Sequence, residues 1–200
     1  MNKKCISLLA GILFSTMAFA QGYKVGDKAT GFNLKNVDGK MVSMADYPDA
    51  KGIVVIFTCN HCPYSKLYED RIIAINNKYA PKGYPVIAIN PNDSINEPVD
   101  SWSNMIVRAK EKGFTFPYLL DAGQRITKVY GASRTPHVFL LEKVKKNYIV
   151  RYIGAIDDNS KDPSAVKEKY LAIAIDSLLA GKKPDPNYTK AIGCTIKWAE

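Results

Sequence analysis

The chain has 200 residues, with 28 lysines and arginines against 19 aspartates and glutamates and a formal net charge of +9. This length suits one domain with a sizeable hydrophobic core. The basic residues are scattered apart from the short cluster Lys143, Lys145 and Lys146, so we expect a solvated basic surface and no nucleic-acid partner.

The N-terminus has the pattern of an export signal. Two lysines precede an apolar run over residues 6–14, and Ala18-Phe19-Ala20 offers small residues for cleavage, which predicts a signal peptide at residues 1–20. No later stretch approaches the roughly 20 apolar residues of a transmembrane helix, and Cys5 lies ahead of the apolar run, unlike a lipoprotein cysteine. We therefore expect a bacterial protein that is exported, periplasmic or secreted, without a membrane anchor.

The first elements of the mature chain are a hairpin, a strand and a helix. Alternating residues around Asp38-Gly39 predict two short strands between residues 27 and 45. Residues 52–58 are an unbroken β-branched and aromatic run, which indicates a strand buried on both faces. Apolar residues then recur at three- and four-residue spacing from Tyr64 to Tyr79, which predicts an amphipathic helix that ends before Pro81.

Strands and helices continue to alternate in the second half. The predicted order is a strand at 85–90, a polar loop at 91–98, a helix from about Trp102 to Gly113, a strand at 118–120, a helix at 124–130, strands at 137–141 and 148–153, and a final helix whose apolar face is Val166, Tyr170, Ile173, Ala174 and Leu178. This order predicts an α/β fold with helices on both faces of a sheet. We expect one domain over residues 21–182, followed by a C-terminal tail over 183–200 that packs on it through its apolar residues 191–198. Asn90, Asn92 and Asp93 end a strand on the side of the sheet where Cys59 and Cys62 also lie, so they could line a groove there, but we favour their interpretation as loop-forming residues.

Three cysteines remain after the predicted cleavage, and two of them, Cys59 and Cys62, are separated by only two residues. A structural disulfide framework usually has an even number of widely spaced cysteines, so the close pair indicates chemistry. At a strand-to-helix junction the helix N–H groups favour negative charge on Cys59, which makes it the expected nucleophile, with Cys62 resolving the mixed disulfide. Pro63 fits the first helical turn, where its missing N–H costs little.

These motifs resemble the thioredoxin superfamily. The order strand, Cys-x-x-Cys-Pro, helix, with Arg134-Thr135-Pro136-His137 before a later strand, is similar to that superfamily, and the N-terminal hairpin with its Asp-Gly turn is similar to the redoxin branch that includes thiol-specific antioxidant proteins. The resemblance implies a thioredoxin fold with a central mixed sheet and an N-terminal β-hairpin extension, and it implies no cofactor. It also implies that Pro136 is cis and faces the dithiol, and that the backbone of Thr135 pairs with a bound substrate.

The two histidines of the chain are both candidate supporting residues. His61 directly before the second cysteine is similar to the arrangement in protein disulfide isomerase and the periplasmic disulfide oxidase, where an imidazole stabilises the thiolate and makes the disulfide more oxidising. His137 is placed by the resemblance near the same site. Ile53 stands where thioredoxin has a buried acid, so the proton of Cys62 needs another acceptor, such as His137, water or a more distant carboxylate.

The leading hypothesis is a thiol-disulfide oxidoreductase acting on protein thiols or disulfides and served by a redox partner protein. A thiol-dependent peroxidase with Cys194 as resolving thiol is the second, although Ile56 occupies the position of the peroxiredoxin threonine three residues before the cysteine. Cys194 is otherwise a small buried hydrophobe. A copper or zinc carrier is the third, with Cys59, His61 and Cys62 as ligands and His137 or Cys194 as a possible further one, although such carriers usually show a wider cysteine spacing.

Overall fold

The computed structural model describes residues 22–200, so the predicted signal peptide at residues 1–20 lies outside the described residues. Seven strands form one mixed sheet in the order β2-β1-β5-β4-β3-β7-β8. These strands are β1 (Asn33–Asn36), β2 (Met41–Ser43), β3 (Gly52–Phe57), β4 (Val86–Asn90), β5 (Tyr118–Leu120), β7 (His137–Val144) and β8 (Asn147–Gly154). The shorter strands β6 (Arg134–Thr135) and β9 (Cys194–Thr195) form a second sheet of two strands.

Strand β3 is the centre of the sheet. It pairs in parallel with β4 and antiparallel with β7, and all six of its residues are buried, which agrees with its unbroken apolar sequence. Alternate side chains point to opposite faces, so Val54 and Ile56 belong to one hydrophobic cluster, and Val55 and Phe57 to the other. The strand carries the chain directly to the cysteine pair.

The predicted hairpin extends this sheet at one edge. Strands β1 and β2 pair antiparallel, and the turn between them contains Gly39 with a φ of 85°, a conformation that glycine adopts without steric cost. β1 also pairs antiparallel with β5, and the Asn36 side chain accepts a hydrogen bond from the Tyr118 N–H at 2.9 Å. The hairpin prediction and the α/β fold class are therefore confirmed.

Helices cover both faces of the sheet, as predicted. The helices are α1 (Pro63–Tyr79), α2 (Trp102–Lys112), α3 (Arg125–Tyr130) and α4 (Tyr170–Leu179). Buried residues of α1, α2 and α4 join Val54 and Ile56 in one cluster, whereas Ile126 and Tyr130 of α3 pack on the opposite face. No helix among residues 22–200 has both the length and the apolar character needed to cross a bilayer.

The predicted apolar face of the last helix was partly wrong. Val166 is extended and precedes the helix, because a short turn over Pro163–Ala165 is capped by the Asp162 carboxylate, and the Lys167 N–H is bonded to Asp158 instead. Helix α4 begins only at Tyr170 and buries Leu171, Ala174, Ile175 and Leu178. Ile173 lies on the exposed side, because the face built on Leu171 and its i+4 neighbour is rotated from the predicted one.

The C-terminal segment runs along the domain and passes beside the cysteine pair. Tyr188 forms a parallel bridge with Ile153 of β8, and strand β9 then pairs antiparallel with β6. Ile196 is buried in the cluster that contains Tyr130. The segment therefore lies next to the peptide that precedes Pro136.

Candidate active site

The cysteine pair lies where β3 ends and α1 begins. Thr58 still pairs with β4 through its N–H, which donates to the Ile89 carbonyl at 2.9 Å. Cys62 has an extended backbone and is the N-cap of α1. Pro63 occupies the first turn, where a backbone N–H would have no intrahelical acceptor, so its missing N–H costs little. Both sulfurs are shielded, since Cys59 is 3% and Cys62 0% exposed, and both are free thiols.

Thr135 contacts both thiols with different atoms. Its hydroxyl lies 3.2 Å from Cys59 Sγ, and its carbonyl accepts a hydrogen bond from the Cys62 thiol at 3.1 Å. The following peptide bond, Thr135–Pro136, is cis. The structure thus brings together Cys59, Cys62, Thr135 and Pro136, four of the residues selected from the sequence.

The two thiols titrate as a pair. Their contact shifts the two pKa values in opposite directions because the pair shares one proton, so the groups around each sulfur decide where that proton lies. A carbonyl can only accept, so the contact of Cys62 with the Thr135 carbonyl holds a proton on Cys62. The Thr135 hydroxyl can donate to Cys59, which favours Cys59 as the thiolate.

A buried carboxylate, that of Asp100, holds the loop between the cysteines. Its Oδ1 accepts the backbone N–H groups of Asn60 at 2.6 Å and His61 at 3.1 Å. Its Oδ2 lies 2.7 Å from His61 Nδ1 and accepts from the Asn92 amide at 2.6 Å. Asp100 is fully buried, and four hydrogen bonds from the surrounding residues compensate the cost of burying its charge.

His61 is oriented by this carboxylate. Because a carboxylate only accepts, Nδ1 of His61 carries a hydrogen and donates it to Asp100. The same nitrogen lies 3.7 Å from Cys59 Sγ, and Nε2 lies 3.8 Å from the Glu97 carboxylate. Because that hydrogen is donated to Asp100, the imidazole does not donate it to Cys59. After the contact with Cys62 and burial, the negative charge of Asp100 also acts to raise the pKa of Cys59.

Asp100 was not among the residues selected from the sequence, and the two asparagines that contact it were selected but interpreted as loop-forming. Asp100 directly follows the predicted polar loop and reads as a residue before a helix. Asn90 and Asn92, interpreted as loop-forming, are buried and donate to the backbone carbonyl and the carboxylate of Asp100, respectively. The polar loop that returns to the dithiol side of the sheet was the only signal for them. Ser65, also missed, places its hydroxyl 3.9 Å from Cys59 Sγ in the first turn of α1.

His137 lies in a different environment from His61. Its ring packs on Phe139 with centroids 4.8 Å apart, and its Nδ1 accepts the Ser133 N–H at 3.3 Å. Burial lowers the pKa of His137 to about 4, so it is neutral at pH 7. Among residues 22–200, no hydrogen bond joins it to either thiol of the pair, and its role as proton acceptor for Cys62 stays a prediction.

Cys194 lies on the other side of Thr135. Strand β9 pairs Cys194 directly opposite Thr135, and its thiol is half-buried. Burial and the neighbouring Cys62 thiol raise the pKa of Cys194 to about 11. All three thiols of the described chain therefore surround one residue.

The site also contains a possible set of metal ligands. Ligand atoms of Cys59, His61 and Asp100 lie within 4.8 Å of one another, and thiolate, imidazole and carboxylate are donors that zinc accepts. However, the Asp100 oxygens already accept four hydrogen bonds, which matches the roughly four lone-pair sites of a carboxylate. A metal ion would have to break the bonds that hold the loop, so these residues fit a metal poorly.

Comparison with known proteins places the chain in a family. The AhpC/TSA family pattern matches residues 25–160, which include the dithiol and the Thr135–Pro136 peptide but not the C-terminal segment. The chain belongs to the AhpC/TSA family. It is 24% identical to the thiol-disulfide oxidoreductase ResA of Halalkalibacterium halodurans over 69% of this chain and 75% of that protein, and 28% identical to ResA of Bacillus thuringiensis over 60% of this chain and 65% of that protein.

Two solved structures are similar to the chain in fold. An uncharacterized conserved protein from Geobacillus kaustophilus superposes with a TM-score of 0.81 at 35% identity, covering 88% of this chain and 93% of that chain. A thiol:disulfide interchange protein DsbE from Chlorobium tepidum superposes with a TM-score of 0.51 at 22% identity, covering 64% of this chain and 86% of that chain. The likeness to the Chlorobium tepidum protein concerns the fold alone. The present chain has the thioredoxin-like fold.

Replacement of Asp100 by asparagine tests the buried carboxylate. Asp100→Asn removes the negative charge that raises the pKa of Cys59, so the dithiol should titrate at lower pH and its reduction potential should become more positive. The new amide group faces the donors of His61 and Asn92, which should cost about 1–3 kcal/mol of stability. Thiolate ultraviolet absorbance against pH, redox titration and urea unfolding measure the three effects. Glu97→Gln is the matched control, and equal titrations in both variants would contradict the assignment.

The lowered pKa of His137 predicts a pH-dependent stability. The unfolded imidazole takes up a proton below pH 6.5 and the folded one only near pH 4, so the unfolded state binds more protons and stability falls as the pH drops through this window. Between pH 7.5 and pH 5 the loss should be about 2 kcal/mol, since one pKa unit corresponds to about 1.4 kcal/mol. Urea unfolding at both pH values should show this loss in the wild type and in His61→Asn, but not in His137→Asn. A loss of the same size in all three proteins would refute the prediction.

Proposed function

We propose that this AhpC/TSA family member is a thiol-disulfide oxidoreductase that exchanges electrons with protein thiols or disulfides through Cys59 and Cys62. The observation that carries the proposal is the pair of free thiols at the start of α1, hydrogen-bonded to opposite ends of Thr135. The activity named for the two ResA relatives supports it. Export through residues 1–20 and service by a redox partner protein belong to the same proposal.

The proposed chemistry divides between the two thiols. In the reducing direction, the Cys59 thiolate attacks a substrate disulfide, a Cys59–substrate bond forms, and one substrate sulfur leaves as a thiolate. Cys62 then loses its proton and attacks the Cys59 sulfur, so that a Cys59–Cys62 disulfide forms and the second substrate thiolate leaves. In the oxidising direction the same steps run in reverse, and two substrate thiols become a disulfide.

The surroundings of Cys59 favour the oxidising direction. The hydroxyls of Thr135 and Ser65 approach its sulfur and can donate to it, whereas the Nδ1 hydrogen of His61 is donated to Asp100. Groups that stabilise a thiolate stabilise the reduced form and make the disulfide a stronger oxidant. Asp100 opposes them with one negative charge. We therefore propose that the protein donates or rearranges disulfides.

A peroxidase has less support. In β3 the position three residues before Cys59 is the buried Ile56, which has no hydroxyl for a peroxide. The hydroxyl nearest to Cys59 belongs to Thr135, whose carbonyl and backbone are already engaged by Cys62 and by strand β9. The absence of a hydroxyl at the position of the peroxiredoxin threonine is what favours disulfide exchange over peroxide reduction.

Cysteine variants test the proposed chemistry. Cys59→Ser should abolish turnover of a reduced, unfolded protein substrate, because the attacked sulfur is missing. Cys62→Ser should accumulate mixed disulfides between Cys59 and the substrate, because resolution is lost, and these are visible as adducts in non-reducing electrophoresis and mass spectrometry. Turnover that persists in Cys59→Ser would sink the mechanism. Rapid consumption of hydrogen peroxide by the reduced wild type would favour the peroxidase instead.

The reduction potential tests the direction of electron flow. Disulfide donation predicts a value of roughly −120 to −180 mV for the Cys59–Cys62 couple, as in known donors. Thiol trapping in glutathione and dithiothreitol buffers measures it in the mature protein. A value near roughly −270 mV would make the protein a reductant, which would contradict the direction and leave the exchange chemistry intact.

A further inference from the structure

The backbone edge beside the dithiol is occupied by the chain itself. In strand β6 the residue before cis-Pro136 is Thr135, and its partner across the ladder is Cys194. Gly193 packs directly on the Thr135 carbonyl, and a Cβ at Gly193 would overlap that oxygen. An extended peptide that pairs with Thr135 on this edge must therefore displace residues 193–195.

The segment is anchored on both sides of this crossing. Before it, the N–H of Thr189 donates to the Ile153 carbonyl at 3.0 Å. After it, Ile196 is buried, and the Lys197 carbonyl accepts from the Asp93 N–H at 2.9 Å and the Gln124 side chain at 2.7 Å. Between the anchors the segment is more open, with Ile192 exposed and Cys194 half-buried. Residues 191–198, called the strap from here on, are thus held at both ends, and their middle contacts the site.

The strap is also connected to the buried carboxylate. The Asn92 side chain donates to Asp100 at 2.6 Å and accepts the Lys197 N–H at 2.9 Å. Asp100 in turn holds the backbone of Asn60 and His61 between the two cysteines. Departure of the strap therefore leaves Asn92 with an unpaired acceptor next to the carboxylate that fixes the dithiol loop.

The thiol of the strap is placed for exchange with Cys62. Cys194 lies opposite Thr135 in the ladder, and the Cys62 thiol is bonded to the Thr135 carbonyl at 3.1 Å. Cys194 acts on the titration of Cys62, and burial together with the Cys62 thiol raises the pKa of Cys194. These mutual effects agree with the placement of both cysteines around Thr135.

We propose that residues 191–198 are an intramolecular occupant of the substrate edge, and that Cys194 reacts as a built-in substrate thiol to close a Cys62–Cys194 disulfide. This inference rests on the proposed function and names a regulation of the same site. With the strap in place the edge of Thr135 is closed to other extended chains. A protein substrate gains access only when the strap leaves.

The covalent step is a balanced exchange. The Cys194 thiol loses its proton to solvent, and its thiolate attacks the Cys62 sulfur of the Cys59–Cys62 disulfide. The Cys62–Cys194 bond forms, the Cys59–Cys62 bond breaks, and Cys59 leaves as a thiolate that takes up a proton. One disulfide and one thiol are present before and after, so no external oxidant is consumed. The product locks the strap over the edge and leaves Cys59 as the free thiol.

Disulfide mapping of the oxidised protein tests the covalent step. Trypsin cleaves after Lys51, Lys66, Lys190 and Lys197, which leaves Cys59 and Cys62 together on peptide 52–66 and Cys194 alone on peptide 191–197. Protein oxidised with glutathione disulfide, alkylated at acid pH and digested should yield these two peptides joined, with the alkyl label on Cys59. Cys194→Ser is the control that removes the joined species. Absence of joined peptides, or a joined species labelled on Cys62, would overturn the step.

Access to the edge is tested with a peptide of the strap's own sequence. Gly193→Ala should displace the strap, since the added methyl overlaps the Thr135 carbonyl, and truncation after Ile196 should loosen it by removing the bonds of Lys197. The oxidised form of each variant should react several-fold faster than wild type with the free thiol peptide Ala-Ile-Gly-Cys-Thr-Ile-Lys. Gly31→Ala is the matched control, since a Cβ at Gly31 meets nothing within 4 Å.

Reaction with free cysteine separates edge access from dithiol reactivity. Cysteine needs no strand edge, so its rate should change much less than the peptide rate in the two strap variants and should equal the wild-type rate in Gly31→Ala. An unchanged peptide rate in both strap variants, or an equal gain with free cysteine, would overturn the proposed occupancy. Failure of the wild type to form a Cys59–Cys62 disulfide at all would instead overturn the proposed function, and the same digest detects it.

Discussion

The geometry of the site depends on one buried carboxylate. Asp100 is out of contact with solvent, yet its two oxygens accept four hydrogen bonds, two of them from the backbone between Cys59 and Cys62. An uncompensated charge at this depth would be strongly unfavourable, so the loop must present its N–H groups inward to satisfy it. This requirement fixes the path of the chain from β3 into α1 and turns His61 towards Cys59. It also places a negative charge beside the reacting sulfur of Cys59, which opposes formation of the thiolate.

A second constraint falls on Thr135. Its hydroxyl, carbonyl and backbone edge contact Cys59, Cys62 and Cys194 respectively. A movement of β6 therefore changes three thiol environments at once, which gives the strap a direct mechanical connection to the dithiol. Asn92 adds an indirect one through Asp100. The strap is in this sense a part of the site, although it lies far from the cysteine pair in sequence.

The sequence predicted those features whose signal is local. Strand β3 and helix α1 have strong hydrophobic patterns, and the cysteine pair falls at their junction, so its position could be read directly from the sequence. Asp100 could not, because it reaches the loop across about 40 residues and only tertiary packing brings it there. The shifted face of α4 has a similar cause, since Asp158 and Asp162 hold the preceding loop and delay the helix start. The pairing of Cys194 with Thr135 is likewise non-local and had no counterpart in the pattern of the tail.

The tether gives the strap an advantage over any substrate in solution. A segment held on a short linker competes with an effective concentration on the order of millimolar, so a peptide that offers only two ladder residues, as β9 does, cannot displace it at the lower concentrations of individual proteins. A successful substrate must add contacts beyond the edge of Thr135, or bind where the strap is most weakly held, around the exposed Ile192. The strap therefore selects extended, unfolded chains that make a larger contact surface with the protein. The thiols of these chains must also compete with the half-buried thiol of Cys194 for reaction with the dithiol site.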